Sequence, residues 1–286
     1  MHLLGAHMSV AGGLEKAVQL AHAAECTTVQ IFTKNSNQWS CKPLTSDQVQ
    51  RWQQALDQYG IRGPVAHASY LINLASPDDA LWNKSIEGLV VEWQRAEGLR
   101  LDGLVIHPGA HTTSSAEEGL QRVIHAVTAA IKLVKPHHCK LLLENTAGQG
   151  SCLGHTFEQL GTLIAGIKNR KHVGICIDTC HAFAAGYELH TPAGYRAMKA
   201  AMEAAFPLDT IRALHLNDSK KECGSHVDRH EHIGQGCIGD EGFRLILNDP
   251  DLADVPGYIE TPKGNEEATG EDLDQMNIRH LRSLLR

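Results

Sequence analysis

The chain has 286 residues, 42% of them hydrophobic, which is enough apolar material for one substantial core and matches the length of a barrel of about 250 residues, although length alone leaves two small domains open. No apolar stretch approaches the ~20 residues of a membrane span, and the start MHLLGAHMS lacks a basic region followed by a long apolar run, so a soluble, unexported, cytoplasmic chain is expected. A formal net charge of −7 is the wrong sign for broad attachment to phosphate, but bound divalent cations would offset it and leave a local positive site to act.

Short β-rich runs alternate with helical periodicity along the chain. The run 2–6 (HLLGA) precedes a helix over 13–24, and 28–32 (TVQIF) precedes one over 46–59. The run 61–66 (IRGPVA) is followed by a helix over 78–98, 103–106 (GLVI) by 117–134, and 140–143 (KLLL) by 157–167. Then come 173–177 (VGICI) with a helix over 192–205, 211–214 (IRAL) with 241–248, and 256–259 (PGYI) with 271–285. Thr45 or Ser46 before DQVQRW, and Ser76 with Pro77, read as helix starts. Strict alternation implies a parallel sheet, and eight repeats of the unit imply closure into a single (β/α)8 TIM barrel spanning 1–286. The longest loop, 217–239, follows the seventh strand, and a loop of that length usually carries function.

The eight cysteines are dispersed through a long chain with no export signal, so reduced thiols are expected rather than disulfides. Cys176 and Cys180 stand beside His181, yet no second pair completes four zinc ligands and Cys176 lies in the apolar run VGICID; buried, inert thiols are the reading.

The residue following each run from the third strand to the eighth is His67, His107, Glu144, Asp178, His215 and Glu260. All six can bind a metal, and in a barrel the strand C-termini converge on one mouth. The long loop adds Asp228 and His230, and His181 lies three residues beyond Asp178. A lone histidine after a strand is more often a hydrogen-bonded structural residue. Four carboxylates in one mouth, however, would cost several kcal/mol in repulsion and desolvation without cations. Mixed imidazole and carboxylate donors suit Zn²⁺ or Mn²⁺ better than Mg²⁺ or Ca²⁺, and nine ligands suffice for two or three ions with open positions.

Long blocks in the chain resemble the endonuclease IV family: GAHMSVAGG at 5–13, HASYLINLASP at 67–77, HPGAH at 107–111, LLLENTAGQGS at 141–151, VGICIDTCHAFAAGY at 173–187, and HLNDSK with VDRHEHIGQGCIG within 215–239. The resemblance implies a DNA-repair endonuclease that hydrolyses the phosphodiester 5′ to an abasic site in duplex DNA, leaving a 3′-hydroxyl and a 5′-deoxyribose phosphate. It implies three zinc ions per chain, with manganese an option at one or more sites, and no organic cofactor. His67, His107 and Glu144 would hold the first, Glu144 bridging to a second held by Asp178, His215 and Glu260; His181, Asp228 and His230 would hold the third. Glu144 is the candidate catalytic residue, placed to orient or deprotonate the nucleophile, although a bridging ligand makes a poor free base.

An abasic site offers no base to read, so recognition needs entry into the minor groove, kinking and replacement of lost stacking. The resemblance makes Tyr70 and Leu71 the inserted wedge. Some bacterial members carry an arginine where this chain has Asn37, which supplies no charge and less reach, so damage discrimination or affinity is expected to differ. Lys34, Gln38 and Trp39 are further candidates, with simple packing the favoured role for Trp39. His7 and His111 are open to a supporting or phosphate contact. His22, His125, His137, His138, His155, His172, His190 and His280 are expected to bind no catalytic metal, and Gly148 and Gly150 to serve a tight turn.

Two rival functions remain. A divalent-metal sugar isomerase or epimerase would share donors at the strand ends, but His181, Asp228 and His230 are surplus to a two-metal sugar site. A damage binder without catalysis would not need the full donor set. A closed pocket would favour the sugar enzyme and an open groove the endonuclease. The chain is expected to act as a monomer.

Overall fold

A computed structural model describes residues 2–286. Eight parallel strands close on themselves: β1 (Leu4–His7), β2 (Thr28–Phe32), β3 (Val65–His67), β4 (Gly103–Ile106), β5 (Lys140–Glu144), β6 (Val173–Asp178), β7 (Ile211–His215) and β8 (Gly257–Ile259). The ring closes where Leu4 of β1 pairs with Gly257 of β8. This is a TIM barrel, as the alternation of the sequence predicts. Among the described residues no helix is long and apolar enough to cross a membrane.

The helices are α1 (Leu14–Ala23), α2 (Ser46–Tyr59), α3 (Asp79–Gly98), α4 (Ala116–Val134), α5 (Phe157–Gly166), α6 (Thr179–Ala184), α7 (Pro192–Ala205), α8 (Gly239–Leu247) and α9 (Leu273–Ser283), all but α6 packing outside the strands. Most starts are set by side-chain caps. Thr45 and Gln48 form a reciprocal capping box on α2, and Ser115 and Glu118 do the same on α4. The cap of α3 is Asp78, whose carboxylate accepts from Leu81 N, so the Ser76–Pro77 signal falls two residues early. The six-residue α6 at the mouth is too short to leave a periodic signature in the sequence.

Two cores stabilise the barrel. The larger lies between strands and helices and includes Trp52 and Trp93, both wholly buried; their indole N–H groups donate to the Leu99 and Cys139 carbonyls at 3.1 Å. Each such burial contributes about 1.5–3 kcal/mol. The smaller core fills the barrel interior with one residue from each of six strands: Val65, Val105, Leu142, Cys176, Ala213 and Tyr258. Strand side chains alternate between faces, so the inward neighbours two positions on are His67, His107, Glu144, Asp178, His215 and Glu260. The polar cluster therefore sits directly on an apolar plug.

Candidate metal centre

Glu144, at the end of β5, is fully buried and lies at the middle of the cluster. Its Oε2 is 3.1 Å from His67 Nε2 and 3.1 Å from His107 Nε2, while its Oε1 is 2.7 Å from His215 Nδ1. His67, His107 and Glu144 form one set whose donor atoms all lie within 4.8 Å of one another, and Glu144, Asp178, His215 and Glu260 form a second. Asp178 caps α6: its Oδ1 accepts from His181 N at 2.7 Å, which turns His181 toward the mouth. His181 Nδ1 donates to the Asn145 carbonyl at 2.9 Å, leaving Nε2 3.1 Å from Asp228 Oδ2. Asp228 Oδ1 lies 3.2 Å from His230 Nε2, so Asp228 stands between the two imidazoles; within 4.8 Å the donor atoms group as Asp178, His181 and His230, and as Cys180, Asp228 and His230.

The electrostatics suit cations. Burial alone would raise the Glu144 carboxyl, but the charges of His215 and His107 hold it well below the usual carboxylate range. Burial likewise works to lower His230, yet the adjacent carboxylate of Asp228 and the nearby Asp178 and Glu260 hold it up at about 9. His181 and His215 are raised in the same way against their burial, by Asp178 in the first case and by surroundings that include Glu260 and Glu144 in the second. Carboxylates packed this tightly attract positive charge, whether protons or metal ions. His230 Nε2 is buried with no hydrogen-bond partner and faces carboxylates, an orphaned atom that a metal ion would satisfy. The donor set thus fits divalent metal. The thiols of Cys176 and Cys180 lie close by, but burial pushes each up to about 12, which keeps them protonated. All eight cysteines are free, as expected.

Several supporting residues lie just beyond the strand ends. Asn145 exchanges two hydrogen bonds with the Asp178 backbone at 2.7 and 3.0 Å, and Asn217 Nδ2 donates to Asp178 Oδ2 at 2.7 Å. Asp218 organises the long loop: its carboxylate accepts from the backbone N–H groups of Ser219, Gly234, Gly236, Ile238 and Gly239 at 2.8–3.2 Å. A Cβ at Gly236 would lie 2.5 Å from Asp218 Oδ1, so only glycine lets the chain wrap this closely. A two-residue antiparallel pair, Asp218–Ser219 with His230–Glu231, then brings His230 back to the mouth. The signal available was the adjacency of Asn145 to Glu144, and of Asn217 and Asp218 to His215.

Beside the centre, Tyr70 is 62% exposed although its ring centroid lies 5.2 Å from that of His67. Leu71 is half-buried next to it, and Asn37 is exposed on the neighbouring loop. The two loops are tied together by Glu92 of α3, which pairs with Lys34 at 3.1 Å and accepts from Ser69 N at 3.2 Å. Lys34 is therefore a buried structural cation and does not reach the surface. Trp39 packs over Gly88, with Lys84 Nζ 4.6 Å above its ring, in keeping with the packing role. Gly148 and Gly150 both adopt positive φ, as a tight turn requires.

His7 takes a supporting place, with Nδ1 3.2 Å from Glu260 Oε1, whereas His111 Nδ1 only closes a local turn on the Ser114 carbonyl at 2.6 Å. Of the eight histidines set aside from the sequence, five sit in local contacts: His22 against Tyr59, His138 with Asp102, His155 with the Cys152 carbonyl, His190 against Phe183 and His280 with Asp240.

A family profile described as the xylose isomerase-like TIM barrel matches residues 18–284. A protein of Trichlorobacter lovleyi named "Probable endonuclease 4" is 47% identical over 98% of this chain and 99% of its own length. One of the same name from Chloroflexus aurantiacus is 45% identical over 100% of this chain and 99% of its own. The chain belongs to the endonuclease IV family. The crystal structure of endonuclease IV from Thermus thermophilus superposes with a TM-score of 0.86 at 35% identity, covering 98% of both chains. Membership makes this protein a nuclease. A D-psicose 3-epimerase structure superposes with a TM-score of 0.70 over 98% of this chain, but at 11% identity it shares the fold alone.

Proposed function

We propose that this endonuclease IV member hydrolyses the phosphodiester 5′ to abasic sites in duplex DNA, leaving a 3′-hydroxyl and a 5′-deoxyribose phosphate, with three zinc ions per chain. The observation that carries the reading is the surplus of donors beside two sets already sufficient for a dinuclear site: Asp228 lies 3.1 Å from His181 Nε2 and 3.2 Å from His230 Nε2, and His181 and His230 group with Asp178 within 4.8 Å. A sugar epimerase needs no such addition. His67, His107 and Glu144 would hold one ion, Glu144 with Asp178, His215 and Glu260 a second, and His181, Asp228 and His230 a third. Manganese could replace zinc at one or more of these, since imidazole and carboxylate accept both.

When bound, the ions supply a water of lowered pKa and stabilise charge on the attacking and leaving oxygens. The residues of the chain do the holding. Glu144, with both oxygens engaged and its pKa held low, is suited to bridge and orient rather than to accept a proton. Tyr70 and Leu71 would enter the duplex at the lesion, where an exposed ring can replace missing stacking. Asn37, short and uncharged, would give a weaker contact than a longer cation. The whole chain is read as one domain, acting as a cytoplasmic monomer.

The test pairs elemental analysis of the purified protein with cleavage of a duplex carrying one tetrahydrofuran abasic analogue. About three zinc ions per chain with incision just 5′ of the analogue is the expected result. One or two metals, no incision and turnover of a small ketose would overturn it in favour of the sugar enzyme.

A further inference from the structure

Gln30 of β2 is a fully buried polar residue that neither strand-end spacing nor chemistry singled out. Its Oε1 lies 2.8 Å from His215 Nε2, and its Nε2 lies 2.6 Å from Glu260 Oε1 and 3.0 Å from His7 Nδ1. The other ring nitrogen of His215, Nδ1, faces Glu144 Oε1 at 2.7 Å and Glu260 Oε2 at 3.3 Å. One amide thus touches two of the donors of a single set, from the side away from the mouth.

We propose that Gln30, supported by His7, is a positioning residue for the metal held by Glu144, Asp178, His215 and Glu260. The inference rests on the metal-centre reading given above. The amide orientation is dictated by its neighbours. With Oε1 toward His215, the imidazole donates from Nε2 and keeps the lone pair of Nδ1 for the ion. Turned over, the amide would donate to His215 Nε2, forcing the proton onto Nδ1, and would set Oε1 against the Glu260 carboxylate. Both consequences are unfavourable, so the amide is locked. His7 contributes from β1, where Nδ1 reaches the same Glu260 oxygen at 3.2 Å.

The test compares wild type with Gln30→Leu, which keeps volume and removes both hydrogen bonds, in zinc competition titrations against a chromophoric chelator. Expected is a loss of ~10–100-fold in affinity for one zinc equivalent with the others unchanged. With the abasic-analogue duplex, kcat should fall while KM holds, because Gln30 lies beneath the donors. In a His215→Ala background, Gln30→Leu should cost little more, because the two act as a unit. Should the Leu variant lack a wild-type circular dichroism spectrum, Gln30→Met takes its place. Unchanged affinity for every zinc in a folded variant, or an equal loss spread over all of them, overturns the assignment. A wild-type chain that retains no metal sinks the metal-centre reading, and this inference with it.

Discussion

Asp228 and His181 meet at 3.1 Å, carboxylate Oδ2 to imidazole Nε2, although one belongs to the long loop after β7 and the other to α6. On the other side the same carboxylate is 3.2 Å from His230 Nε2. Asp228→Ala should therefore remove one zinc per chain and leave the others, lowering incision by about 10²–10³-fold through lost stabilisation of the transition state. Metal counting beside single-turnover rates decides this; full zinc content with full activity would show that Asp228 is no ligand.

Tyr70 is 62% exposed, so Tyr70→Ala should leave stability within about 0.5 kcal/mol of wild type. Its effect should fall on binding of abasic duplex, where loss of stacking is worth about 1–3 kcal/mol, or roughly 5–150-fold in affinity. Fluorescence anisotropy with damaged and intact duplexes measures both arms. Equal weakening on the two would mean that the ring supports general DNA binding and not the lesion.

Glu92 is 1% exposed and holds Lys34, itself buried, at 3.1 Å. Glu92→Ala leaves that ammonium without its counter-charge and frees Ser69 N, so the expected cost is about 3–5 kcal/mol. Denaturant unfolding gives the number. A cost below about 1 kcal/mol would mean that water replaces the carboxylate and that the two loops are not tied as described.

Asp218→Ala removes an acceptor shared by five backbone N–H groups in a wholly buried position. A loss of about 2–4 kcal/mol is expected, with faster amide exchange over 228–239. Any metal held by His181, Asp228 and His230 should weaken with it, because that loop supplies Asp228 and His230. Protection unchanged in the loop would contradict the account.

Metal binding should release protons at neutral pH. Without metal, His230 is held at about 9, against an ordinary 6.5, and His181 and His215 are raised well above it. A metal ion must displace those protons, so affinity should rise with pH up to about 9. For the metal-free protein the sign is reversed: the raised histidines stabilise the fold fully below 6.5, and that contribution fades as pH passes through about 9. Calorimetry in buffers of differing ionisation enthalpy detects the released protons, and a buffer-independent heat would refute the linkage.

Much of this was present in the order of residues. Eight apolar runs alternating with helical periods determine a closed parallel barrel, because short apolar strands joined by crossover helices have few other ways to bury both faces. A donor residue placed after each run from the third to the eighth determines a polar mouth, since strand C-termini converge there. His67, His107, Glu144, Asp178, His215 and Glu260 were legible for that reason, each two positions beyond an interior apolar residue.

What the tertiary structure alone decided is which of these groups touch, and what holds them. Gln30 reads as an ordinary polar residue in TVQIF until the barrel brings His215, 185 residues away, to 2.8 Å. Lys34 reads as a candidate DNA contact until α3 sets Glu92 against it. Asp218 reads as one more acidic loop residue until the glycines fold their amides around it. Spacing along a chain carries strand period and helix period, but side-chain partners separated by tens or hundreds of residues are chosen by closure of the barrel and the packing of its loops. These contacts have no local signature.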